Sequence, residues 1–168
     1  PRMSRSVIAV YPGTFDPITL GHEDIVRRAA GLFGQLIIAV ARAHHKKTLF
    51  TLDERLELAR DTASRYANVS VEPFEGLVTE FAVARGGQAM VRGVRGVTDF
   101  DYEAQLAGMN RNLMPGVETV FLTPAAELQS ISSTLVREIA QLGGDVAPYV
   151  APLVLQRLMD KRGAAAKP

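Results

Sequence analysis

His22 closes the segment Tyr11-Pro12-Gly13-Thr14-Phe15-Asp16-Pro17-Ile18-Thr19-Leu20-Gly21-His22, which joins an apolar run to the first helical pattern. An imidazole beside Gly21 at a helix start lies among free backbone N–H groups, at the positive end of the macrodipole. It can donate a hydrogen bond to a phosphate oxygen and stabilise charge that develops during transfer. Thr14 offers a hydroxyl and an amide at the strand tip, and Gly13 lets the backbone turn. A Gly-His pair also serves a plain strand-to-helix connection. Neither G-x-x-x-x-G-K-[ST] nor G-x-G-x-x-G occurs. By its residues alone the segment reads as an anion site.

Three further clusters could meet anions. Lys46 and Lys47, after His44 and His45, form either a solvated surface pair or a phosphate clamp. Arg92 and Arg95 flank Gly93 and Val94 and can converge on one anion with planar forks, or pair with Asp99 and Asp101. Ser130, Ser132, Ser133 and Thr134 precede an apolar helical run; some must cap it, and four hydroxyls exceed what a cap needs. The surplus can cradle phosphates with help from the helix dipole. His44 and His45 read as solvated. Glu103 reads as an ordinary exposed helix glutamate, Gly76-Leu77-Val78 as packing, and Phe74, Phe81 and Phe100 as core.

The elements that must position these groups alternate. Residues 7–11, 36–41, 69–71, 89–91 and 117–122 are short, nearly continuous apolar runs, as expected of strands buried on both faces of a parallel sheet. After Gly21, Ile25, Val26, Ala29, Ala30, Leu32 and Phe33 recur at helical spacing, with Glu23, Asp24, Arg27 and Arg28 expected to face out. Thr51-Leu52-Asp53-Glu54 is a capping box for a second helix. Residues 77–85, 99–113, a stretch after Ser132 and residues 150–161 complete the helical patterns. The expectation is one α/β domain over residues 1–168: a Rossmann-like five-stranded parallel sheet with helices on both faces and right-handed crossovers. Residues 1–5 and 163–168 are expected to fray. Ligands of such sheets sit beyond the carboxyl ends of the strands, at the reversal of strand order. The loops after strands carry most of the polar residues singled out above.

Composition narrows the chemistry. The chain has 168 residues, enough for one domain with a real core. It has no cysteine, which removes disulfides, thiolate metal sites and a Cys nucleophile. Its three histidines do not suggest a dedicated zinc site, and no metal-ligating residue is assigned. The formal charge of +1 argues against a general nucleic-acid binder. No apolar run approaches the roughly 20 residues that span a bilayer, and no signal-peptide pattern precedes the first strand. The expected compartment is the cytoplasm.

The segment 12–22 resembles the signature of the nucleotidylyltransferase superfamily with its H/T-x-G-H motif, here Thr19-Leu20-Gly21-His22. Ile131-Ser132-Ser133-Thr134-Leu135-Val136-Arg137 resembles that superfamily's I-S-S-T-x-x-R. Within it the chain is most similar to the bacterial phosphopantetheine adenylyltransferases. That likeness runs through Thr19, Lys46-Lys47 with Phe50-Thr51-Leu52, Arg92-Gly93-Val94-Arg95, 99–103 and Met109-Asn110-Arg111, covering about residues 6 to 160.

The resemblance implies transfer of AMP from ATP to 4′-phosphopantetheine, giving dephospho-coenzyme A and pyrophosphate. It implies His22, Lys46 and Thr14 as catalytic residues. It assigns Thr14, Phe15, His22, Gly93, Val94, Arg95, Glu103, Leu128, Gln129, Ser130, Ile131, Ser132, Ser133 and Thr134 to ATP. Thr14, Lys46, Val78 and Arg92 go to the acceptor. It further implies Mg2+ held mainly through the ATP phosphates, a homohexamer, and coenzyme A as a feedback inhibitor.

Overall fold

The computed structural model describes residues 6–43 and 47–165. Its elements run β1 (Ile8–Gly13), α1 (Leu20–Leu32), β2 (Gln35–Ala41), α2 (Leu52–Ala63), β3 (Val69–Phe74), α3 (Val78–Ala84), β4 (Ala89–Gly93), α4 (Val97–Leu113), β5 (Glu118–Leu122), α5 (Ser133–Gln141) and α6 (Pro152–Ala165). Short 3₁₀ turns occupy Ala126–Leu128 and Ala147–Tyr149. The five strands form one parallel sheet in the order β3-β2-β1-β4-β5. Strand order therefore reverses between β1 and β4.

Alternation along the strands divides two cores. Ala9, Tyr11, Leu36, Ile38, Val40, Ala89 and Val91 face Ile25, Val26 and Ala29 of α1, Leu56 and Ala59 of α2, Val136 of α5, and Val154 and Leu158 of α6. Val10, Ile37, Ala39 and Met90 face the other way, onto Phe81 and Ala82 of α3 and onto Val117. Helices thus cover both faces, which is why the strands read as continuous apolar runs.

Several sequence expectations change. Glu23 and Asp24 do not face out; they are 9% and 8% exposed. Glu23 accepts from Thr62 Oγ1 at 2.9 Å and pairs with Arg65, so α1 and α2 are joined through polar groups that a periodicity count assigns to solvent. Phe100 is not core: it is half exposed and lies edge-on to Phe121. Helix α4 starts at Val97, capped by Gly96, rather than at Asp99. Residues 163–165 are helical and continue α6. The expectations for 1–5 and 166–168 lie outside the described residues, as do those for His44, His45 and Lys46.

Candidate active site

A cleft of about 340 Å³ opens at the strand-order reversal. The β1–β2 ladder runs from Ile8/Gln35 to Gly13/Val40, whereas the β1–β4 pairing comprises only Ala9/Ala89 and Val10/Met90. Beyond Val10 the two strands part, and Pro12 has no amide hydrogen with which to extend a ladder. Tyr11, Pro12 and Gly13 line one wall of the opening, Arg92 and Gly93 another, and the first turns of α1 and α5 converge above it.

Thr19-Leu20-Gly21-His22 folds as a capping box. The Thr19 hydroxyl accepts from the His22 amide, and His22 occupies the position where Glu or Gln ordinarily returns the bond. The His22 ring does so through Nδ1, which accepts from the Thr19 backbone N–H at 3.0 Å. In the neutral ring the proton therefore resides on Nε2, and the ring lines the cleft. Burial, reinforced by the Arg95 guanidinium, pushes the imidazole down to about 4, so it is neutral near pH 7. The arrangement presents a fixed, uncharged N–H donor.

Phe15 adopts a positive φ of 50° and is buried, its ring edge-on to His22 at 5.1 Å and to Tyr11 at 5.3 Å. Gly13 is required by this ring rather than by the turn. A Cβ there would stand 2.9 Å from Phe15 Cζ. Gly13→Ala is accordingly expected to displace the ring, cost about 1–3 kcal/mol in urea unfolding, and lower activity through the altered support of His22. A variant as stable and as active as the parent would contradict this role.

Across the cleft, Arg92 and Glu103 form a bidentate pair, Nε to Oε2 at 2.7 Å and Nη2 to Oε1 at 2.6 Å. Glu103 is 8% exposed, so the reading of an exposed helix glutamate fails. Its charge is matched by Arg92, which is what allows a carboxylate to be buried there. Arg95 takes the alternative weighed for it: its Nε and backbone N–H both donate to Asp99 at 3.2 Å. Its Nη1 also donates to the Ile131 carbonyl at 2.9 Å, joining the β4–α4 loop to the start of the serine motif.

The hydroxyls of that motif are more committed than expected. Ser132 caps α5, accepting from the Leu135 amide at 3.1 Å, and Ser133 donates to the Pro17 carbonyl at 2.8 Å. Thr134 accepts from Arg137. What α5 offers the cleft is mainly its first-turn N–H groups and dipole.

Phe15, His22, Arg92, Gly93, Arg95, Glu103, Leu128, Ile131, Ser132, Ser133 and Thr134 all line the cleft. Thr14 does not line it; its carbonyl is bonded to Arg55. Val94 is buried, with its amide on the Leu122 carbonyl, and Gln129 and Ser130 are exposed beyond the rim. Val78 packs against the opposite core with Phe74, away from the cleft. Lys47 is exposed.

Four residues that hold the site were given no role by the sequence reading, although Asp16 and Arg137 stand within its two motifs. Arg55 of α2, 1% exposed, donates to the carbonyls of Thr14 and Ala41 at 2.8 Å and of Phe50 at 3.3 Å. The Asp16 carboxylate accepts from the Leu49 and Phe50 amides, both at 2.9 Å. Arg137 of the second motif donates to the Asp16 carbonyl and stands 3.7 Å from its carboxylate. Asp24 accepts from Arg27, Arg28 and the Ala125 amide; these bonds hold its carboxyl below the usual range against the opposing effect of burial, and fix the loop that carries Leu128. The capping box at Thr51 could have pointed to α2, but nothing local marks Arg55 as buried.

Residues 10–139 match the family model described as Cytidylyltransferase-like. Over 160 residues the chain is 71% identical to a phosphopantetheine adenylyltransferase of Acidovorax sp. (strain JS42), covering 95% of this chain and 97% of that one. It is 56% identical over 154 residues to a phosphopantetheine adenylyltransferase of Aromatoleum aromaticum, covering 92% and 94%. Among solved structures it is similar to Plasmodium falciparum nicotinic acid mononucleotide adenylyltransferase complexed with NaAD, with a TM-score of 0.67. That match spans 92% of this chain and 95% of that one at 14% identity, which speaks for the fold alone.

Proposed function

The chain belongs to the cytidylyltransferase-like family and, within it, to the phosphopantetheine adenylyltransferases, and from this we propose that it moves AMP from ATP to 4′-phosphopantetheine, releasing dephospho-coenzyme A and pyrophosphate. The observation that carries the reading is the His22 ring, held neutral with Nδ1 on the Thr19 amide and its Nε2–H free for the cleft. A fixed donor of this kind suits the charge that grows on an α-phosphate as pyrophosphate departs.

The acceptor phosphate is largely dianionic near pH 7, its second pKa being about 6. It needs no general base. Catalysis is positioning for in-line attack plus electrostatic stabilisation. In this reading Arg92 meets the acceptor, Lys46 orients its phosphate, and Thr14 bridges acceptor and α-phosphate. Arg95 and the first turn of α5 hold the nucleotide, Arg95 exchanging its Asp99 and Ile131 contacts for phosphate. Glu103 keeps Arg92 extended and is proposed to meet the nucleotide as well.

Magnesium would neutralise the triphosphate. It would be held mainly by phosphate oxygens and water, as suits a hard, strongly hydrated cation. No helix among the described residues is long and apolar enough to cross a membrane, and the reading places the chain in the cytoplasm, in coenzyme A synthesis, with coenzyme A as a feedback ligand. Self-association to a hexamer has support from α4: Val97, Tyr102, Met109 and Leu113 are each more than half exposed, and only Glu103 on that helix is buried.

Pyrophosphate release tests the reading. With ATP and magnesium, 4′-phosphopantetheine should support release at least about a hundredfold faster than nicotinamide mononucleotide or glycerol phosphate. ATP binding without release for any acceptor would leave only a nucleotide-binding module.

A further inference from the structure

Among the described residues, Tyr11 is a polar group lining the cleft for which the mechanism has no use. Its side chain is 5% exposed, wedged against the edge of Phe15, 6.5 Å from the His22 ring, with Gly93 below. A Cβ at Gly93 would lie 3.7 Å from the Tyr11 hydroxyl, so the bare glycine leaves that oxygen room. The residue lines the cleft beside Arg92 and Glu103. Among the described residues nothing hydrogen-bonds to the hydroxyl, although buried phenols ordinarily find a partner. Nor is it one of the sealed atoms without a partner, which are Thr79 Oγ1 and Arg157 Nε. The missing partner is therefore one that enters through the cleft.

We propose that the Tyr11 hydroxyl donates a hydrogen bond to the phosphate of the acceptor, alongside Arg92. This rests on the function read above. Arg92 spends Nε and Nη2 on Glu103 and has its charge matched there, leaving Nη1 for a ligand. Even with the Lys46 ammonium assigned to the same phosphate, a partly neutralised guanidinium leaves lone pairs on the three oxygens of a phosphate monoester open to a further donor. A neutral O–H next to it supplies a second donor without adding charge to a buried pair. Burial pushes the phenol up, so it remains protonated and a donor throughout any ordinary assay range. The hydroxyl thereby distinguishes a phosphorylated acceptor from its unphosphorylated form, since a buried donor left unpaired disfavours the wrong ligand.

Tyr11→Phe removes the oxygen and keeps the ring. Calorimetric titration of parent and variant with 4′-phosphopantetheine, pantetheine and a non-hydrolysable ATP analogue reads the contact. Loss of a hydrogen bond to a charged group should weaken 4′-phosphopantetheine about tenfold or more and raise its KM in step, with the melting temperature, pantetheine binding and nucleotide binding unmoved. Unchanged 4′-phosphopantetheine binding overturns the proposal. So does equal weakening of pantetheine, or weakening confined to the nucleotide. A parent that binds and turns over 4′-phosphopantetheine while Tyr11→Phe matches it sinks this inference alone. A parent that does neither sinks the reading of function as well.

Discussion

His22→Ala lowers turnover by about 10²–10³-fold while nucleotide and acceptor affinities change by less than about tenfold. The asymmetry follows from when the contact matters. The Nε2–H meets more charge as the bond to pyrophosphate breaks than in the ground state, so its loss falls mainly on the barrier. Steady-state kinetics with direct binding measurements separate the two, and equal losses in affinity with intact turnover would remove His22 from the chemistry. The same geometry makes a second demand. With the ring held near 4 by burial and Arg95, its proton NMR signals should not titrate between about pH 5.5 and 8. An unfolded chain protonates this histidine near 6.5 while the folded one does not. Its contribution to stability is therefore undiminished above about 6.5 and declines as pH falls toward 4. A ring that titrates near 6.5 in the folded protein would contradict the structure.

Arg55→Met is expected to be the most destabilising single change near the site, by about 3–5 kcal/mol, a loss typical of breaking a buried charged network. Methionine fills a similar length, so the loss is not a cavity. It strips donors from the carbonyls of Thr14, Ala41 and Phe50 at once and takes a cation from beside Asp16. For a chain of this size that corresponds to a midpoint lower by roughly 6–20 °C. Arg55→Lys retains the charge and one of the bonds and should recover part of the loss, since an ammonium cannot span three acceptors as a guanidinium does. Urea unfolding decides: a methionine variant within about 1 kcal/mol of the parent would mean that these carbonyls are satisfied otherwise.

Much of the architecture was legible because the parallel sheet is buried on both faces, and runs such as 36–41 have no polar residue to interrupt them. By its residues the Gly21-His22 start served a plain strand-to-helix connection equally well; the likeness to the T-x-G-H motif singled out His22, which lines the cleft. What could not be read were polar groups whose partners are distant backbone. Arg55 sits in α2 among Glu54, Glu57 and Arg60 and looks like one more surface charge; only the assembled loops make it a buried donor. Glu23 and Asp24 fail for the same reason, as periodicity counts apolar residues and cannot see a carboxylate neutralised from another element. Glu103 was assigned to a ligand by resemblance and to solvent by pattern, and its bond to Arg92 belongs to neither. Thr14 and Val78, which the resemblance assigns to ligands, are not among the residues that line the cleft.

The two motifs are fastened to each other: Ser133 to the Pro17 carbonyl across 116 residues of sequence, and Arg137 to the Asp16 carbonyl across 121. A chain emerging from the ribosome has its His22 turn early but lacks the segment that clamps it until residue 137 is out. Such distant partners meet late in folding, when loop-closure entropy has been overcome elsewhere. The reactive geometry thus comes into being only in a finished molecule. Truncated or half-made chains can present the T-x-G-H turn without being able to consume ATP, and the onset of pyrophosphate release during synthesis would serve as a clock for the docking of α5.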